Sequence, residues 1–283
     1  MEPGEARQLW HLLETIHAVT YFSPTCRQGH ADLGFAGFWM GYFGTRAAPL
    51  GPVPPELVAA TFYGFHGSMV ERAIPDAWDH VAPADAVEGR AAVAATALRE
   101  LVEPIEAVAE DIVTILDPAL ETADLGGRPL AAANVAIGPL EEPVADLWQV
   151  TTTLREHRGD GHVAVLVAEG IGGCESHVLF GAEAGLPPEL YLESRGWPEQ
   201  EWQDAIEVLT AAGLLADGAL TERGARLRAH VEQRTDELAA APYAAIRPER
   251  RAQLLDLLVP VAGSIVEAGI IRYPNPMGLP EVA

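Results

Sequence analysis

The segment from residue 197 to residue 241 constrains the fold of this chain more than any other stretch. It begins with Trp197-Pro198 and several acidic residues, a composition that favours the first turn of a helix, and Gly213 marks where that helix should end. Asp217-Gly218 is a dipeptide typical of a two-residue turn between short strands. A long second helix follows this turn. The segment therefore predicts the order helix, strand, turn, strand, helix.

That order of elements is the layout of a winged helix, and most of the remaining chain has the apolar periodicity of helices. Residues 4–19 and 84–116 carry apolar side chains at steps of three and four, and residues 24–33 should form a short helix that stops at the following glycine. Pro104 lies inside the long pattern and predicts a break there. The sequence thus predicts a mainly α fold with winged-helix elements.

The stretch 117–143 is a candidate boundary, because it contains Gly126-Gly127 and several prolines. We predict an N-terminal helical half over 1–140 and a C-terminal winged-helix half over 141–283. Two short strings recur at similar spacing, Leu9-Trp10 as Leu147-Trp148 and Pro54–Leu57 as Pro187–Leu190. One explanation is a duplication, with two pseudo-symmetric halves packed together and the first a degenerate winged helix. The other is coincidence, since proline is favoured at helix openings.

The charged side chains exclude several classes of function. The chain has 41 acidic residues against 18 basic ones, a formal charge of −23, and every basic residue is an arginine. Without lysine there is no Schiff-base nucleophile, no pyridoxal-phosphate anchor and no P-loop lysine, and we expect no cofactor. The negative charge argues against a protein that coats nucleic acid or an anionic membrane.

The apolar segments and the cysteines indicate the setting of the protein. No apolar run approaches the ~20 residues of a membrane span, and the first ten residues lack the apolar stretch of a signal peptide. Cys26 and Cys174 are far apart in sequence, which favours buried, inert thiols in a reducing compartment. We expect a cytoplasmic monomer or homodimer that does not bind membranes.

Several strings spread over nearly the whole chain carry a family resemblance. They are Tyr42-Phe43 with Arg46–Gly51, Thr61–Tyr63 with Phe65-His66, Leu154–His162, Arg195–Trp197 and Pro274–Pro276. In these strings the sequence resembles an actinobacterial family of MarR-like helix-turn-helix proteins, most of them without an assigned activity. The resemblance implies an all-helical frame with winged-helix elements. It implies no reaction, because one fold can carry many functions.

The charge pattern of the winged-helix segment bears on DNA binding. A winged helix that binds DNA places its recognition helix in the major groove and basic side chains on the phosphates. Here the helix between Trp197 and Gly213 carries four acidic residues and no arginine, and the turn at Asp217-Gly218 carries no cation. The pattern predicts that nucleic acid is not a partner, although the second helix of the segment has four arginines interleaved with acids.

The string from Arg155 to His162 is the densest cluster of chemically active side chains. Arg155 and Arg158 would bind an anionic group of a ligand. His157 or His162 would then act as a general acid or base, oriented by Asp160. The alternative is structural, with the arginines paired to neighbouring acids and Asp160 capping a helix. The two glycines of the string predict that one helix ends here and the next begins.

The same string does not predict a metal site, because the spacing of its two histidines does not bring both rings to one helical face. A second cluster of candidate ligand-binding residues lies in the first half. Its members are His17, Tyr21, Trp39, Tyr42, Arg46 and His66. An aromatic wall with a few polar groups is typical of small-molecule pockets, and the alternative is that these aromatics are core. If the halves are pseudo-symmetric, a ligand between them would touch both clusters.

These patterns favour a protein that binds a small molecule between its halves. The leading hypothesis is an enzyme without metal or cofactor that performs acid–base chemistry on an aromatic or anionic metabolite, as in cyclisation, isomerisation, dehydration or hydrolysis. One alternative is a MarR-like transcriptional regulator that responds to a ligand. A further alternative is a resistance protein that sequesters a metabolite.

Overall fold

The computed structural model describes residues 2–281, which are helical apart from one short hairpin and the connecting segments. Up to residue 140 the elements are α1 (Pro3–His17), α2 (Val19–Phe22), α3 (Pro24–Leu33), α4 (Gly37–Ala47), the 3-10 helix η1 (Ala48–Leu50), α5 (Pro55–Thr61), α6 (Gly67–Glu71), α7 (Ala77–His80), α8 (Pro83–Leu101), α9 (Glu106–Thr122) and α10 (Pro129–Val135). The later elements are α11 (Pro143–Ala168), α12 (Gly173–Ala184), α13 (Glu189–Arg195), α14 (Glu199–Ala211), β1 (Leu215–Ala216), β2 (Ala219–Leu220), α15 (Glu222–Tyr243) and α16 (Pro248–Glu267). The prediction of a mainly α fold is confirmed.

The hairpin between α14 and α15 confirms the predicted winged-helix elements. Gly213, with φ +69°, follows α14 in the left-handed region, which glycine adopts without steric cost. Asp217 and Gly218 both have positive φ, as a two-residue hairpin turn requires, and they set the antiparallel pairing of β1 with β2. Thr221 then caps α15 by accepting a hydrogen bond from the backbone N–H of Gly224 at 3.0 Å.

Two other predicted boundaries are also confirmed. Helix α3 spans the predicted residues and is followed by Gly34 at φ +118°, and the hydroxyl of Ser23 caps its first turn. Pro104 separates α8 from α9, because a proline in a helix interior removes a hydrogen bond and clashes with the preceding turn.

Helix α11 does not break at its glycines, so the prediction of two helices meeting near residue 160 is wrong. It runs without interruption through Gly159 and Gly161, and most of its side chains are buried. A Cβ on Gly161 would lie 2.5 Å from Nη1 of Arg128, so the glycine provides room for that side chain. Asp160 does cap a helix, but it caps α10, by accepting the backbone N–H of Ala131 at 2.9 Å. Packing therefore outweighs the local preference of the glycines.

The main core packs α11 against helices from both ends of the chain. Its buried apolar side chains include Ile16 on α1, Ile115 on α9, Trp148 on α11, and Leu258 and Ile265 on α16. Full burial of each such side chain contributes about 1.5–3 kcal/mol. Two smaller clusters lie under α4–α8 and under α12–α15. No single helix within residues 2–281 is long and apolar enough to cross a membrane, although the bent pair α11–α12 meets that test together.

The two halves share part of their element order. Each begins with a long helix, α1 or α11, and later has two long helices in succession, α8 with α9 or α15 with α16. The elements between them differ, because the first half has α2, α3, α4, η1, α5, α6 and α7 where the second has α12, α13, α14 and the hairpin. The division into two halves at about residue 140 and their common origin remain predictions.

Candidate functional site

A cavity of about 830 Å³ lies where α1, α4, α11, α12, α13 and α15 meet the segment 276–280. Its walls carry one third of the arginines of the chain and an equal number of acidic side chains. They are Arg7, Arg46, Arg155, Arg158, Arg195 and Arg228 with Glu14, Glu156, Asp160, Glu183, Glu232 and Asp236. The formal charge of the walls is therefore balanced, in contrast to the strongly acidic chain as a whole.

Glu156 is the centre of a first ion-pair network in the cavity wall. Its side chain is 1% exposed and accepts two hydrogen bonds from Arg46, at 2.8 and 3.0 Å. Arg155 donates to it at 2.7 Å and also pairs with Glu14 at 3.2 Å. Burial by itself would raise the pKa of Glu156, but the two guanidinium groups outweigh it and hold that pKa well below its usual range. The network joins α4, α1 and α11 through charges that are already neutralised.

A second ion-pair network joins α15 to α1, α11 and α12. Arg158 and Arg7 both approach Asp236, each at 2.7 Å. Arg228 pairs with Glu183 at 3.0 Å and with Glu232 at 3.3 Å. The cations of this network, like those of the first, are committed to carboxylates of the protein.

Arg195 lines the same cavity without a carboxylate partner among residues 2–281. The residue is 9% exposed and donates to two backbone oxygens, that of Pro276 at 2.7 Å and that of Ser194 at 3.1 Å. Its guanidinium carbon lies 4.6 Å from the centre of the Phe65 ring. Burial lowers the pKa of Arg195 because its positive charge has lost water. Arg195 is thus a buried cation at the cavity surface that the protein leaves without a counter-charge.

His162 offers a ring nitrogen to the cavity. Its Nδ1 lies 3.0 Å from Oγ1 of Thr235, and that hydroxyl donates its own proton to the backbone oxygen of Val231 at 2.8 Å. Thr235 must therefore accept from Nδ1–H, so Nε2 is the basic nitrogen of the neutral ring. Nε2 has no hydrogen-bond partner within the described part of the chain. Burial lowers the pKa of His162 to about 4, so the ring is neutral at pH 7.

Two further titratable groups line the cavity. The Asp160 carboxyl is buried, which raises its pKa to about 6 even though the backbone N–H of Ala131 stabilises its anion. His177 donates Nε2–H to the backbone oxygen of Gly64 at 2.9 Å and stacks on Tyr191 with ring centres 4.8 Å apart. Burial, with a smaller effect of Arg195, lowers the pKa of His177 to about 3. The cavity therefore contains a carboxyl that gains a proton near pH 6 and histidines that are neutral.

Comparison of the sequence with known protein families shows the family of this chain. The model of a helix-turn-helix family matches residues 6–272, which is nearly the whole chain. This chain belongs to that helix-turn-helix family. No curated protein and no solved structure matches it. The helix-turn-helix part of the resemblance is confirmed, and the MarR-like and actinobacterial parts remain predictions.

The helix of this helix-turn-helix protein that would enter a major groove is α14, which precedes the hairpin. Its exposed residues include four acids, Glu199, Glu201, Asp204 and Glu207, and the helix carries no arginine. Phosphate contacts usually come from arginine, lysine and backbone N–H groups. The surface of α14 thus lacks the side chains that would neutralise a DNA backbone.

Six of the residues predicted as site residues line the cavity: Arg155, Arg158, Asp160, His162, Tyr42 and Arg46. His157 does not line it. Its backbone oxygen accepts from Arg128, and its ring, with Nε2 unpartnered in the described structure, is buried away from the cavity. Trp39 packs in the aromatic cluster of α4. His66 caps α6 and lies 3.3 Å from Glu201.

His17 and Tyr21 lie behind the cavity wall. Nδ1 of His17 is 2.9 Å from Oγ1 of Thr152, which donates to the backbone oxygen of Trp148, so Nδ1 carries the proton. Nε2 then accepts from the Tyr21 hydroxyl at 3.0 Å. The Tyr21 ring packs on that of Tyr42, with centres 5.0 Å apart, and only Tyr42 of the two lines the cavity. Both predicted residues support the wall and do not form part of it.

Sequence reasoning missed Arg195, Arg228 and His177 as cavity residues. Each lies on a helix whose local pattern shows apolar burial but no cluster of active side chains. Cys174 is not activated, because burial raises the pKa of its thiol to about 12. Residues 2–281 contain no group of three or more histidine, cysteine, aspartate or glutamate side chains that could hold a metal ion.

Proposed function

We propose that this helix-turn-helix protein binds a small molecule in the central cavity and moves a proton on it, with His162 as the base. The observation that carries the proposal is the hydrogen bond from Nδ1 of His162 to Thr235, which fixes the ring and leaves Nε2 unpartnered. A cavity of about 830 Å³ is within the range of about 300–1,000 Å³ that small-molecule sites occupy.

Asp160 supplies the matching acid. Burial raises the pKa of Asp160 to about 6 and lowers that of His162 to about 4. Between about pH 4 and pH 6 the Asp160 carboxyl holds a proton while the neutral His162 ring can accept one, so the two groups can act as an acid–base pair in that range. Isomerisation, dehydration, cyclisation and hydrolysis all need such a proton transfer, and no lysine chemistry is involved.

The proposal is tested with a metabolite extract of the source organism. The purified protein is incubated with the extract, and small molecules that are consumed or formed are followed by mass spectrometry. We expect turnover of at least one compound, its loss in His162→Ala, and a partial loss in Thr235→Val, because that variant no longer orients the ring. His230→Ala, which removes an exposed histidine on α15, is the matched control.

Equal turnover by His162→Ala and the unchanged protein would refute the role of His162. A compound that is retained but never changed would instead support the sequestering alternative. Melting temperatures of all variants separate loss of chemistry from loss of the fold.

A ligand-responsive transcriptional regulator is the second candidate function, and the family match is the observation that favours it. The acidic surface of α14 argues against it. A gel-shift titration tests the regulator, with the DNA upstream of the protein's own gene at low and at moderate salt. A shift that weakens as salt rises would support the regulator, because phosphate contacts release counterions. If the DNA is not shifted even at low salt, the regulator function is refuted.

A further inference from the structure

We infer that the cavity is built for an amphipathic anion, a ligand with one negative charge on a flat apolar body, and that Arg195 binds the charge. The inference rests on the proposed function in one respect, that the cavity binds a small molecule.

The pairing of charges in the cavity wall leaves one cation available. Five arginines pair with five carboxylates across the two networks, so these groups offer a ligand no net charge. Asp160 is the sixth acid, and its burial favours the protonated form up to about pH 6. Arg195 has no carboxylate partner among residues 2–281. A second negative charge on the ligand would find no such group in the described wall.

Arg195 has hydrogen-bond donors that are not used within the protein. Its guanidinium has five N–H groups, and the two hydrogen bonds to Pro276 and Ser194 leave three without an acceptor among the described residues. A buried cation without a counter-charge is destabilising, and a bound anion would remove that penalty. The planar fork of a guanidinium matches the two oxygens of a carboxylate, sulfonate or phosphate.

Tyr42 can contribute a second hydrogen bond to the same anion. Its hydroxyl oxygen accepts from Arg46 at 3.3 Å, which leaves the hydroxyl proton free to donate. Both residues line the cavity, and the Tyr42 ring lies 5.4 Å, centre to centre, from the Phe65 ring beneath the Arg195 guanidinium.

The wall of the cavity that Arg195 lines includes apolar and aromatic side chains. Phe65 lies beneath the guanidinium, and Phe62, Phe180 and Met277 form further parts of the wall. Flat rings stack on such side chains. The ligand class that satisfies both features is therefore an aromatic or similarly flat monoanion.

Two fluorescent probes that differ by one charged group test the inference. The first is 1-anilinonaphthalene-8-sulfonate, a flat aromatic monoanion, and the second is N-phenyl-1-naphthylamine, the same ring system without the sulfonate. We expect both to bind the unchanged protein, with the sulfonate tighter by about 10-fold or more, the gain typical of hydrogen bonds to charged groups. Arg195→Gln should remove that difference while the affinity for the uncharged probe changes less than about threefold.

Two further variants make the test specific. Arg7→Gln removes the same charge from the same cavity, but from an arginine already paired with Asp236, so the preference for the sulfonate should fall by less than about threefold. Arg195→Lys keeps the charge and should restore part of the preference. Melting temperatures establish that each variant is folded.

The outcomes separate the two proposals. If the uncharged probe does not bind the unchanged protein, the small-molecule cavity of the proposed function fails. The anion inference is overturned if both probes bind the unchanged protein with equal affinity or if Arg195→Gln weakens the binding of both probes alike. It is also overturned if Arg7→Gln has the same effect as Arg195→Gln, or if Arg195→Lys restores none of the preference for the sulfonate. None of these four results contradicts the proposal that the cavity binds a small molecule.

Discussion

Asp160 provides the sharpest test of the electrostatics of this protein, through the variant Asp160→Asn. The residue is 6% exposed, and its carboxyl accepts the backbone N–H of Ala131 at 2.9 Å. Asparagine keeps an oxygen that can accept the N–H of Ala131. The substitution therefore removes the charge of the buried group and little else.

The magnitude follows from the shift in pKa. The pKa of Asp160 rises from 3.8 to about 6 on folding, because burial disfavours the ionised form. The folded state thus binds the proton more tightly than the unfolded state, so ionisation of Asp160 destabilises the fold above pH 6. At about 1.4 kcal/mol per pKa unit, the penalty reaches about 3 kcal/mol at pH 8 and vanishes below the unfolded value. Asp160→Asn should therefore be more stable than the unchanged protein by about 3 kcal/mol at pH 8, with a gain that disappears between pH 6 and pH 4.

Urea unfolding followed by circular dichroism at pH 4, 5, 6, 7 and 8 measures this difference. Asp236→Asn is the control, since it removes a buried carboxylate that pairs with Arg158 and Arg7 and should destabilise the protein at pH 8. A stability difference between Asp160→Asn and the unchanged protein that is independent of pH would refute the reasoning. A loss of stability in Asp160→Asn at pH 8 would refute it as well.

Two further substitutions, and a third that serves as a control, test the ion pairs and the packing of the fold. Glu156→Gln leaves Arg46 without a carboxylate partner and removes one of the two carboxylates paired with Arg155. The free energy of unfolding at pH 7 should therefore fall by about 3 kcal/mol. An unchanged midpoint of urea unfolding would contradict this role of the ion-pair network. Gly173→Ala should lower the melting temperature strongly, because its Cβ would lie 2.1 Å from a carbonyl oxygen of the α5–α6 loop. Gly263→Ala, in α16, is the control, because its Cβ would have no neighbour within 4 Å, and it should raise the free energy of unfolding by up to about 1 kcal/mol. Equal melting temperatures for the two glycine variants would be evidence against the close contact at Gly173.

The elements that could be predicted are those fixed by local chemistry. The hairpin follows from Asp217-Gly218, because few other dipeptides adopt two positive φ angles in succession. The break between α8 and α9 follows from Pro104 for a similar reason. The continuous α11 could not be predicted, because the reason for the glycine at position 161 lies in Arg128, whose side chain fills the space where a Cβ would lie.

The candidate site shows the same limit. Arg155 and Arg158, which the sequence predicts as ligand-binding residues, lie in the cavity wall and pair with carboxylates far away in sequence, Glu14 on α1 and Asp236 on α15. No local pattern shows which arginines will be neutralised by such partners. Arg195 differs from the other five arginines of the wall only in lacking a carboxylate partner among residues 2–281, and that difference depends on contacts distant in sequence.

The wide sequence separation of the cavity walls also affects folding and synthesis. The walls extend from Pro3 to Pro280, and contacts of such long sequence separation must overcome a large loop-closure entropy before they form. On the ribosome, a growing chain has no complete cavity until the segment 276–280 has been made. A ligand that needs the complete cavity would therefore stabilise only chains in which this segment has been made.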